Sequence, residues 1–487
     1  MGEKIGADVQ LDQAPLKYDG LTPVEVWISE AQERMVLAVP AEKVSEIASI
    51  CESHGVEWCD LGTFGTPDRE LILRWNDVEV GRIGMEFLHD GVPMPVRKAV
   101  WDPEWARQEA GGEDVGVVPC PKIVDTEGLF DAAASLLGHP NLASKAWIVR
   151  QYDHEVQGGS VVKPFVGPNA GPGDAAVVRP VPTSPKGLAI GNGLATGLAR
   201  DPYEMGLAAI DECVRNMVCV GADPSQIAIL DNFCWPGCDD PRNLGSLVRA
   251  AEACLDGGLA YGTPFISGKD SLNNQFTTDE GRTIRIPPTL LISGMGIVED
   301  ESLATTMDAK RSGNHLLLIG ETTDRLGGSH FVRIGGDVSV GRDELPTVDL
   351  ERGPRTAGAV HAAIKQGLVR SAHDASEGGV LVAAIEMAFA GDLGVEVRLD
   401  TIPVGCEGVS DAARAFAEDP CRYLLEVEER DLEAIAEIFD GIPHAVIGRF
   451  TEAGPKGGEV MVSSSELGGS SASTERFRDA WEKGCDR

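Results

Sequence analysis

Polar side chains follow two apolar segments of the sequence in the way that ligand-binding loops follow strands. Asp231 and Asn232 come directly after the apolar run at residues 227–230, and Ser267-Gly-Lys-Asp-Ser271 comes directly after residues 264–266. Open α/β sheets bind ligands in the crevice at the ends of such strands. The sequence therefore predicts a ligand site that includes these two groups of residues.

The pair Gly268-Lys269 indicates contact with phosphate. A Walker loop is excluded, because its glycine spacing is absent and Asp270, rather than Ser or Thr, follows the lysine. Gly268 still allows the backbone to approach a ligand closely, so that Lys269 and nearby N–H groups can contact phosphate. A simple turn after a strand explains the same residues equally well from sequence alone.

A third candidate is the segment Ser371-Ala-His-Asp-Ala-Ser-Glu-Gly-Gly379, which precedes a predicted helix at residues 380–390. Free N–H groups at a helix start bind anions, and Asp374 can hold Mg²⁺, which prefers one or two carboxylates together with phosphate oxygens. The alternative is a plain helix start with Ser376 as its cap. His373 by itself is more typical of a hydrogen-bonded structural histidine than of a base.

The fourth candidate is the pair Glu212 and Asn216. Asp201, Pro202 and Glu204 predict a capped helix over residues 202–220, and a spacing of four places the pair on one face of it. Asp174, in a segment rich in Gly and Pro, can join them if that segment folds over the helix. A solvated helix face is the alternative.

Composition narrows the function classes. The chain has 487 residues, 5% of them aromatic, and 42 basic against 77 acidic residues give a formal charge of −35. Such a field repels nucleic acid and anionic membrane surfaces, so neither is expected as a partner. No apolar run approaches the roughly 20 residues of a membrane helix. Eleven cysteines, an odd number, without a signal peptide predict reduced thiols and a cytoplasmic location.

Two parts of the chain resemble each other at an offset of 388. Residues 5–15 align with 393–403, and residues 29–39 align with 417–427. We interpret them as two copies of one α/β unit. The second copy is preceded by residues 146–390, which belong to the same unit, whereas almost nothing precedes the first. We therefore expect the chain to be the C-terminal part of a longer duplicated protein.

Residue patterns predict the secondary structure around these sites. Residues 35–39 and 71–74 are predicted strands, and residues 41–54, 128–137 and 141–150 are predicted helices. The segments 289–293 and 315–320 are further predicted strands. The Ser- and Gly-rich segment 455–475 is expected to be mobile.

Three motifs in the same order resemble phosphoribosylformylglycinamidine synthase, an ATP-dependent amidoligase family of purine biosynthesis. They are Ser29-Glu-Ala-Gln-Glu-Arg-Met35, Gly268-Lys-Asp-Ser-Leu-Asn273 and His373-Asp-Ala-Ser-Glu-Gly-Gly379. The likeness extends from residue 5 to about residue 450. The related aminoimidazole ribonucleotide synthetases and selenophosphate synthetase share the fold but have one unit, so the duplication favours the synthase.

The resemblance implies a reaction in which ATP activates the amide oxygen of formylglycinamide ribonucleotide as an iminophosphate, which ammonia then converts to the amidine. The use of glutamine-derived ammonia in that family implies a glutaminase subunit and a small accessory subunit as partners. The reaction itself implies ATP and Mg²⁺ as cofactors. The missing N-terminal half is a further expected partner.

The resemblance also assigns roles to individual residues. Glu30, Ala31, Gln32 and Ser271 would bind substrate. Asp231, Gly268, Lys269 and Ser376 would contact nucleotide, and Asp174, Glu212, Asn216 and Asp374 would hold Mg²⁺ at a second nucleotide site. No residue of this chain matches a catalytic position of the family.

Two departures from the family pattern matter for these roles. Lys269 replaces a metal-binding Asn of the shorter family members, so phosphate contact is expected there rather than metal binding. The second repeat has Asp419-Pro-Cys421 where the first has Ala31-Gln-Glu33, so its copy of the substrate motif is expected to have decayed.

The implied fold class is α/β with α+β layers: pseudo-duplicated domains like those of aminoimidazole ribonucleotide synthetase, with mixed sheets packed against helices. The expected domains are the C-terminal part of a first C domain (1–95), a helical connector (96–150), a second N domain (151–305), a second C domain (306–455) and a flexible tail (456–487). Two alternatives to the synthase stay open: a non-catalytic nucleotide- and Mg²⁺-binding scaffold, and a single-unit relative such as selenophosphate synthetase.

Overall fold

The computed structural model describes residues 1–17, 19–31, 34–104, 123–336, 344–455 and 457–485. The chain divides into two compact units, Met1–Arg97 and Lys98–Arg487. Within the described ranges, no helix combines the length and the apolar character that crossing a bilayer requires.

The first unit contains one small sheet and three helices. Its elements are β1 (Ala7–Gln10), α1 (Pro23–Ile28), α2 (Val44–Ser53), β2 (Gly62–Phe64), β3 (Glu70–Trp75), β4 (Val78–Gly84) and α3 (Met85–Asp90). The strand order is β2-β1-β3-β4, with β1 and β3 parallel and the other pairs antiparallel. Ala7, Leu71 and Met85 form its core. The predicted helix 41–54 and strand 71–74 are confirmed.

Among the described residues of the second unit, the first two α-helices are α4 (Thr126–Leu137) and α5 (Ala146–Val149). The helix predicted over 128–137 is confirmed as α4; Asp125 caps it by accepting a hydrogen bond from the Gly128 N–H, and its apolar side is buried. The helix expected over 141–150 is much shorter than predicted. Residues 105–122 of the expected connector lie outside the described residues.

A six-stranded sheet follows, with the order β11-β10-β14-β9-β8-β5. The elements of this part of the chain are β5 (Ser160–Val162), β6 (Phe165–Val166), β7 (Gly171–Pro172), β8 (Ala176–Val178), β9 (Gly187–Gly193), α6 (Pro202–Cys219), β10 (Ile227–Cys234), α7 (Pro241–Tyr261), β11 (Phe265–Ser271), β12 (Gln275–Thr277), β13 (Thr283–Arg285) and β14 (Thr289–Val298). Strands β6 and β7 form one two-stranded ribbon, and β12 and β13 form another. Asp201 caps α6 and Pro202 is its first residue, as predicted; Glu204 forms no capping box.

A seven-stranded sheet completes the unit, with the order β16-β18-β15-β19-β17-β20-β21. Its elements are β15 (His315–Ile319), α8 (His330–Arg333), α9 (Arg352–Lys365), β16 (Val369–Asp374), α10 (Gly379–Ala390), β17 (Gly394–Arg398), α11 (Asp411–Phe416), β18 (Tyr423–Val427), α12 (Leu432–Ile438), β19 (His444–Thr451), β20 (Glu459–Ser464), β21 (Gly468–Ser473) and α13 (Thr474–Lys483). All twelve residues of α10 are buried.

The mobile tail predicted over 455–475 and the flexible tail over 456–487 are wrong. The segment forms β20, β21 and α13, and Val460, Val462, Phe477 and Trp481 are buried. Apolar residues two apart on β20 and four apart on α13 fit the strand and helix periods. Burial of those residues outweighs the loop-like Ser and Gly composition.

The duplication predicted from the sequence is present in the strands. β1, β2, β3 and β4 correspond to β17, β19, β20 and β21, with the same order and directions. The register is shared as well: Ala7 pairs with Phe64 as Val395 pairs with Phe450.

One predicted strand of the first copy is not formed. Residues 35–39 have no regular structure, and Met35, Val36 and Leu37 are 89%, 61% and 60% exposed. Their counterpart in the second copy, β18, is wholly buried between β16 and β15. Unit 1 contains no described strand equivalent to either neighbour, so the segment has nothing to pair with.

Candidate functional site

The end of β16 and the middle of α6 bring most of the predicted metal residues together. Asp374 is the last residue of β16, and Asp174 lies between β7 and β8. Helix α6 lies very close to β9, because a Cβ at Gly193 would be 2.0 Å from the Ala209 carbonyl oxygen. Glycine at this position is therefore required for α6 to bring Glu212 to the end of β9.

Asp174, His373 and Asp374 form a buried cluster whose possible ligand atoms all lie within 4.8 Å of one another. Asp174 Oδ1 accepts hydrogen bonds from His373 Nδ1 at 2.7 Å and from the Asp374 N–H at 3.1 Å. Asp174 Oδ2 is buried and has no hydrogen-bond partner. An unpartnered buried carboxylate oxygen is costly, so this atom indicates where a cation would bind.

Electrostatics within the cluster favour a charged histidine. Burial lowers the pKa of His373, but Asp174 and Glu386 outweigh it and hold that pKa well above its ordinary value. Burial raises the pKa of Asp174, with His373 opposing the shift. His373 Nε2 also lies 3.2 Å from Glu386 Oε2. The histidine is thus held between two carboxylates, in agreement with its interpretation as a structural residue.

Arg215 is a functional-site residue that the sequence analysis missed. Its Nε donates to Asp211 Oδ2 at 2.7 Å, and its Nη1 donates to Asp374 Oδ2 at 2.9 Å. Asp211 also accepts from Tyr261 Oη and from the Cys421 N–H. The signal was available, because Asp211 and Arg215 are an i,i+4 acid–base pair next to Glu212 and Asn216.

Glu212 and Asn216 contact the end of β9, so the alternative of a solvated helix face is wrong for them. Glu212 Oε2 accepts from the Leu194 N–H at 2.8 Å, and Asn216 Nδ2 donates to the Asn192 carbonyl oxygen at 2.9 Å. Burial, together with the nearby Glu377 and Asp374, raises the pKa of Glu212 well above its ordinary value. A bound cation would favour its charged form.

Ser376 does not cap α10. Gly378, in the left-handed conformation, is the cap residue, and Ser376 Oγ instead donates to Asp374 Oδ2. The Gly378 N–H donates to Glu418 Oε1 at 2.8 Å. Ser376 is therefore bound to the proposed metal ligand, while a carboxylate of this chain accepts the hydrogen bond at the helix start.

A cleft of about 450 Å³ opens beside this cluster. This volume lies within the range of small-molecule binding sites. Its lining combines small backbone-exposing residues with charged ones, among them Lys145, Glu212, Arg215, Arg325, Ser376 and Glu377. Lys145 and Arg325 place positive charge along a cleft that otherwise has several carboxylates. Such a lining suits an anionic ligand that brings its own divalent cation.

The opposite wall of the cleft contains a second buried pair. Glu418 accepts from the His330 N–H at 2.9 Å and from His330 Nδ1 at 3.1 Å. Burial lowers the pKa of His330, but Glu418 outweighs it and the pKa is raised. Burial raises the pKa of Glu418, but His330 and the Gly378 N–H outweigh it and the pKa is lowered. The ion pair joins α8 to the segment before β18.

The remaining nucleotide-site residues lie together on β10 and β11. Asp231 pairs in register with Gly268, and a Cβ at Gly268 would lie 2.7 Å from Asp231 Oδ1, so a larger residue here would displace the Asp231 carboxylate. Lys269 Nζ donates to Ser271 Oγ. Partial burial raises the pKa of Asp231, although the Lys269 N–H opposes the shift. Gly268, Lys269 and Ser271 lie on the edge strand of the six-stranded sheet, and Asp231 lies on the strand next to it.

The first copy of the substrate motif lies in unit 1. Glu30 and Ala31 are exposed in the segment that follows α1, whereas Gln32 lies outside the described residues. In the second copy, Glu418 binds His330, and Asp419 Oδ2 accepts from the Thr323 N–H at 2.9 Å. Both carboxylates accept hydrogen bonds from other segments of the fold.

The donor set of the cleft fits a divalent cation. Asp174 Oδ2 has no partner, and Asp374 and Glu212 supply further carboxylate oxygens, the ligands that Mg²⁺ prefers. Arg215 engages one oxygen of Asp374 and leaves the other available. When bound, the cation would neutralise phosphate charge beside these residues.

Two family models match the sequence. The model described as AIR synthase related protein, C-terminal domain, matches residues 1–74 and 311–477, and the corresponding N-terminal domain model matches residues 172–298. The C-terminal model thus matches both copies of the repeated sheet.

Sequence relatives are named phosphoribosylformylglycinamidine synthase subunit PurL. That of Thermococcus sibiricus is 35% identical over 92% of this chain, and that of Rhodospirillum rubrum is 32% identical over 98% of it. The chain spans 57% and 60% of the length of these relatives.

Solved structures of Thermotoga maritima PurL are similar in fold. The complex with FGAR has a TM-score of 0.56 at 18% identity and covers 74% of this chain and 54% of that one. The complex with ADP has a TM-score of 0.52 at 18% identity, covering 72% and 51%, and PurLQS has 0.53 at 17%, covering 78% and 55%. The chain belongs to the AIR synthase related family, and its relatives include the PurL subunits of phosphoribosylformylglycinamidine synthase.

Proposed function

We propose that this chain forms part of an ATP-dependent amidoligase that converts formylglycinamide ribonucleotide to formylglycinamidine ribonucleotide with glutamine-derived ammonia. The observation that carries the proposal is the 32–35% identity to PurL subunits over at least 92% of the chain. Because the chain spans only part of those relatives, we propose that full activity also needs the region of them that it does not match.

The cleft beside Asp374 is proposed to hold a nucleotide with Mg²⁺. Asp174, Asp374 and Glu212 would bind the cation, with Asn216 holding α6 against β9. Ser376, Lys145 and Arg325 would contact the phosphates. The unpartnered Asp174 Oδ2 supports the cation, and the related fold of the Thermotoga maritima complex with ADP supports the nucleotide.

Asp231, Gly268, Lys269 and Ser271 are proposed to belong to a different site, at which the reaction takes place once the enzyme is complete. Lys269 would contact phosphate and Ser271 the substrate. In unit 1, Glu30, Ala31 and Gln32 are separately proposed as substrate-binding residues. In this reaction the substrate amide oxygen attacks the γ-phosphate of ATP, and ammonia then displaces phosphate from the activated carbon. An exposed lysine on the edge strand can neutralise the charge of the transferring phosphoryl group.

Partners are proposed on the same basis. The Thermotoga maritima PurLQS structure is similar in fold, and it supports a glutaminase subunit and a small accessory subunit as partners of this chain. The face of the six-stranded sheet opposite α6 leaves Ile190, Ile266 and Met295 exposed. Exposed apolar faces mark interaction surfaces, so this face supports an interface with another component of the synthase.

The direct test is reconstitution. The chain is mixed with the part of the Thermococcus sibiricus relative that lies outside its match, and amidine formation is measured with ammonia, formylglycinamide ribonucleotide, ATP and Mg²⁺. We expect product only when both polypeptides are present. Lys269→Ala should reduce kcat, whereas Lys186→Ala, on an exposed lysine that pairs with Glu299, serves as the matched control and should not.

A nucleotide-binding scaffold is a second candidate, supported by one observation. In the second copy, Glu418 and Asp419 accept hydrogen bonds from His330 and Thr323, and these carboxylates are therefore already occupied. The cleft would then retain nucleotide for stability alone. Nucleotide-dependent stabilisation with no amidine in the reconstituted mixture would favour this candidate.

A further inference from the structure

Asp174 and Asp374 each have one carboxylate oxygen that two donors engage. Asp174 Oδ1 accepts from His373 Nδ1 at 2.7 Å and from the Asp374 N–H at 3.1 Å. Asp374 Oδ2 accepts from Arg215 Nη1 at 2.9 Å and from the Ser376 hydroxyl. In the described part of the chain, no hydrogen bond reaches the second oxygen of either carboxylate. Asp174 Oδ2 is buried, and Asp374 Oδ1 lies 3.8 Å from His373 Nδ1.

We propose that Arg215 is a positioning residue that makes Asp374 bind a cation through Oδ1 alone, and that this restriction favours Mg²⁺ over Ca²⁺. The inference rests on the proposed function, because that function includes Mg²⁺ in the cleft. It adds an ion preference and assigns it to a residue that does not itself contact the cation.

Arg215 is held in place by its other partner. Its side chain is 4% exposed, and its Nε donates to Asp211 Oδ2 at 2.7 Å. Asp211 also accepts from Tyr261 Oη at 2.6 Å and from the Cys421 N–H at 2.9 Å. The donors of a guanidinium form a planar fork of fixed geometry. Asp211 therefore sets the direction in which Arg215 donates to Asp374.

The charges of this pair also suit a cation site. A guanidinium beside Asp374 without a partner of its own would repel a divalent ion. Asp211 offsets that positive charge, and its side chain is only 1% exposed, so salt and water screen the pair little. Arg215 thus gives Asp374 a hydrogen-bond donor without adding net positive charge to the cluster.

The restriction to one oxygen affects the two ions differently. Mg²⁺ demands near-octahedral geometry with short bonds, whereas Ca²⁺ takes about six to eight oxygens in flexible arrangements and accepts both oxygens of one carboxylate. The donors on Asp174 Oδ1 and Asp374 Oδ2 compete with such two-oxygen binding at both ligands. The arrangement therefore denies Ca²⁺ two possible ligand atoms that Mg²⁺ does not need.

Calorimetric titration of the nucleotide-free chain with Mg²⁺ alone and with Ca²⁺ alone tests the proposal. Arg215→Lys keeps the positive charge but loses the fork, so one nitrogen must hold either Asp211 or Asp374. The ratio of Mg²⁺ affinity to Ca²⁺ affinity should fall by about tenfold, an effect typical of residues that orient metal ligands. A merely structural role would weaken both ions equally, and an unchanged ratio would overturn the proposal.

Arg249→Lys is the matched control. Arg249 forms the same kind of fork, donating to Asp201 from Nε at 2.6 Å and from Nη2 at 2.8 Å. Asp201 caps α6, and about 20 Å of helix separates it from Arg215. This variant should keep the ion ratio of the parent chain. A shift as large as that of Arg215→Lys would contradict the assignment.

Ser376→Ala is a second variant that breaks no buried ion pair. It removes the other donor to Asp374 Oδ2 from a half-buried position. The ion ratio should fall in the same direction, and circular dichroism verifies that each variant is folded. If Arg215→Lys does not fold, an unchanged ratio in Ser376→Ala overturns the proposal by itself.

Amidine formation in the reconstituted mixture separates this inference from the proposed function. A lowered ion ratio in Arg215→Lys, with no product from the parent chain, would support the inference and contradict the proposed function. Product from the parent chain with an unchanged ratio would do the reverse. A parent chain that binds neither ion would overturn both the inference and the proposed cation site.

Discussion

The four strands of residues 7–84 and their four counterparts in the seven-stranded sheet share strand order, direction and register. The segment 35–39 and its counterpart Tyr423–Val427, in contrast, differ completely in structure. Tyr423–Val427 is a buried central strand, whereas residues 35–39 are exposed and irregular. Residues 35–39 are all apolar, and Glu426 is the one charged residue of Tyr423–Val427. The comparison teaches that a strand-forming sequence becomes a strand only where neighbouring strands satisfy its backbone N–H and C=O groups.

The same difference extends to the ligand sites. In the second copy, the motif counterpart Glu418 is held by His330 and by the Gly378 N–H, and the wall of the cleft is thereby complete. In the first copy, Glu30 lies in an exposed segment. We therefore expect the cleft of the second copy to bind its ligand in this chain alone, and the first-copy motif to act only in the complete enzyme.

The largest predicted difference concerns stability at equivalent positions. Leu424→Ala should destabilise unit 2 by about 3 kcal/mol, because it removes buried methyl groups from a packed core. Val36→Ala should change stability by less than about 0.5 kcal/mol, because an exposed side chain has little packing to lose. Urea unfolding of the two variants measures both values. Similar losses at the two positions would show that residues 35–39 are packed like β18.

The next prediction concerns the cation. Asp374→Asn should weaken Mg²⁺-dependent ADP binding by more than about 100-fold, exceeding the 10–100-fold effect typical of residues that only support a ligand. Calorimetry measures the affinity with and without Mg²⁺. Asp231→Asn, at the other group of site residues, should leave this affinity unchanged. If Asp374→Asn binds ADP as tightly as the parent chain, the assignment of Asp374 is wrong.

A pH prediction follows from the His330–Glu418 pair. The folded pKa of His330 is raised above 6.5, so its contribution to stability is present below about pH 6.5 and is lost as the pH rises through the folded value. The folded pKa of Glu418 is lowered below 4.5, so its contribution is lost as the pH falls through that lower value. The difference in unfolding free energy between the parent chain and His330→Gln should be about 1–2 kcal/mol near pH 6, as for a charged hydrogen bond, and should shrink at higher pH. A difference that does not vary with pH would exclude the ion pair.

The smallest expected effect is at the first-copy motif. Gln32→Ala should raise KM for formylglycinamide ribonucleotide about fivefold in the reconstituted enzyme, close to the loss of one neutral hydrogen bond, with little change in kcat. The affinity of the isolated chain for ADP should be unaffected. An unaltered KM would remove Gln32 from the substrate site.

Sequence patterns predicted the long elements well, because capping and periodicity agreed with burial. Helix α6, with Asp201 and Pro202 at its start, and strand β10 are examples. The patterns failed where tertiary contacts decide the outcome. Residues 35–39 have strand composition without a neighbour, and α13 follows a Ser- and Gly-rich segment that composition alone describes as a loop.

The sequence analysis named carboxylates of the candidate site but did not name the arginine that binds one of them. Asp174 and Asp374 lie in one cluster with His373, and Arg215, which donates to Asp374, was not predicted. Acid–base pairs four residues apart also occur on solvated helix surfaces, so the spacing of Asp211 and Arg215 does not by itself show that Arg215 is buried. The cap at Ser376 was wrong for a related reason: its hydroxyl is used by Asp374.

The central claim is that the second copy forms a Mg²⁺-dependent nucleotide site within this chain. Titration of the isolated chain with ADP by calorimetry, in Mg²⁺ and again in EDTA, tests it most directly. The account predicts one ADP per chain in Mg²⁺ and strongly reduced binding in EDTA. Two equivalent sites per chain, or no binding in Mg²⁺, would contradict it.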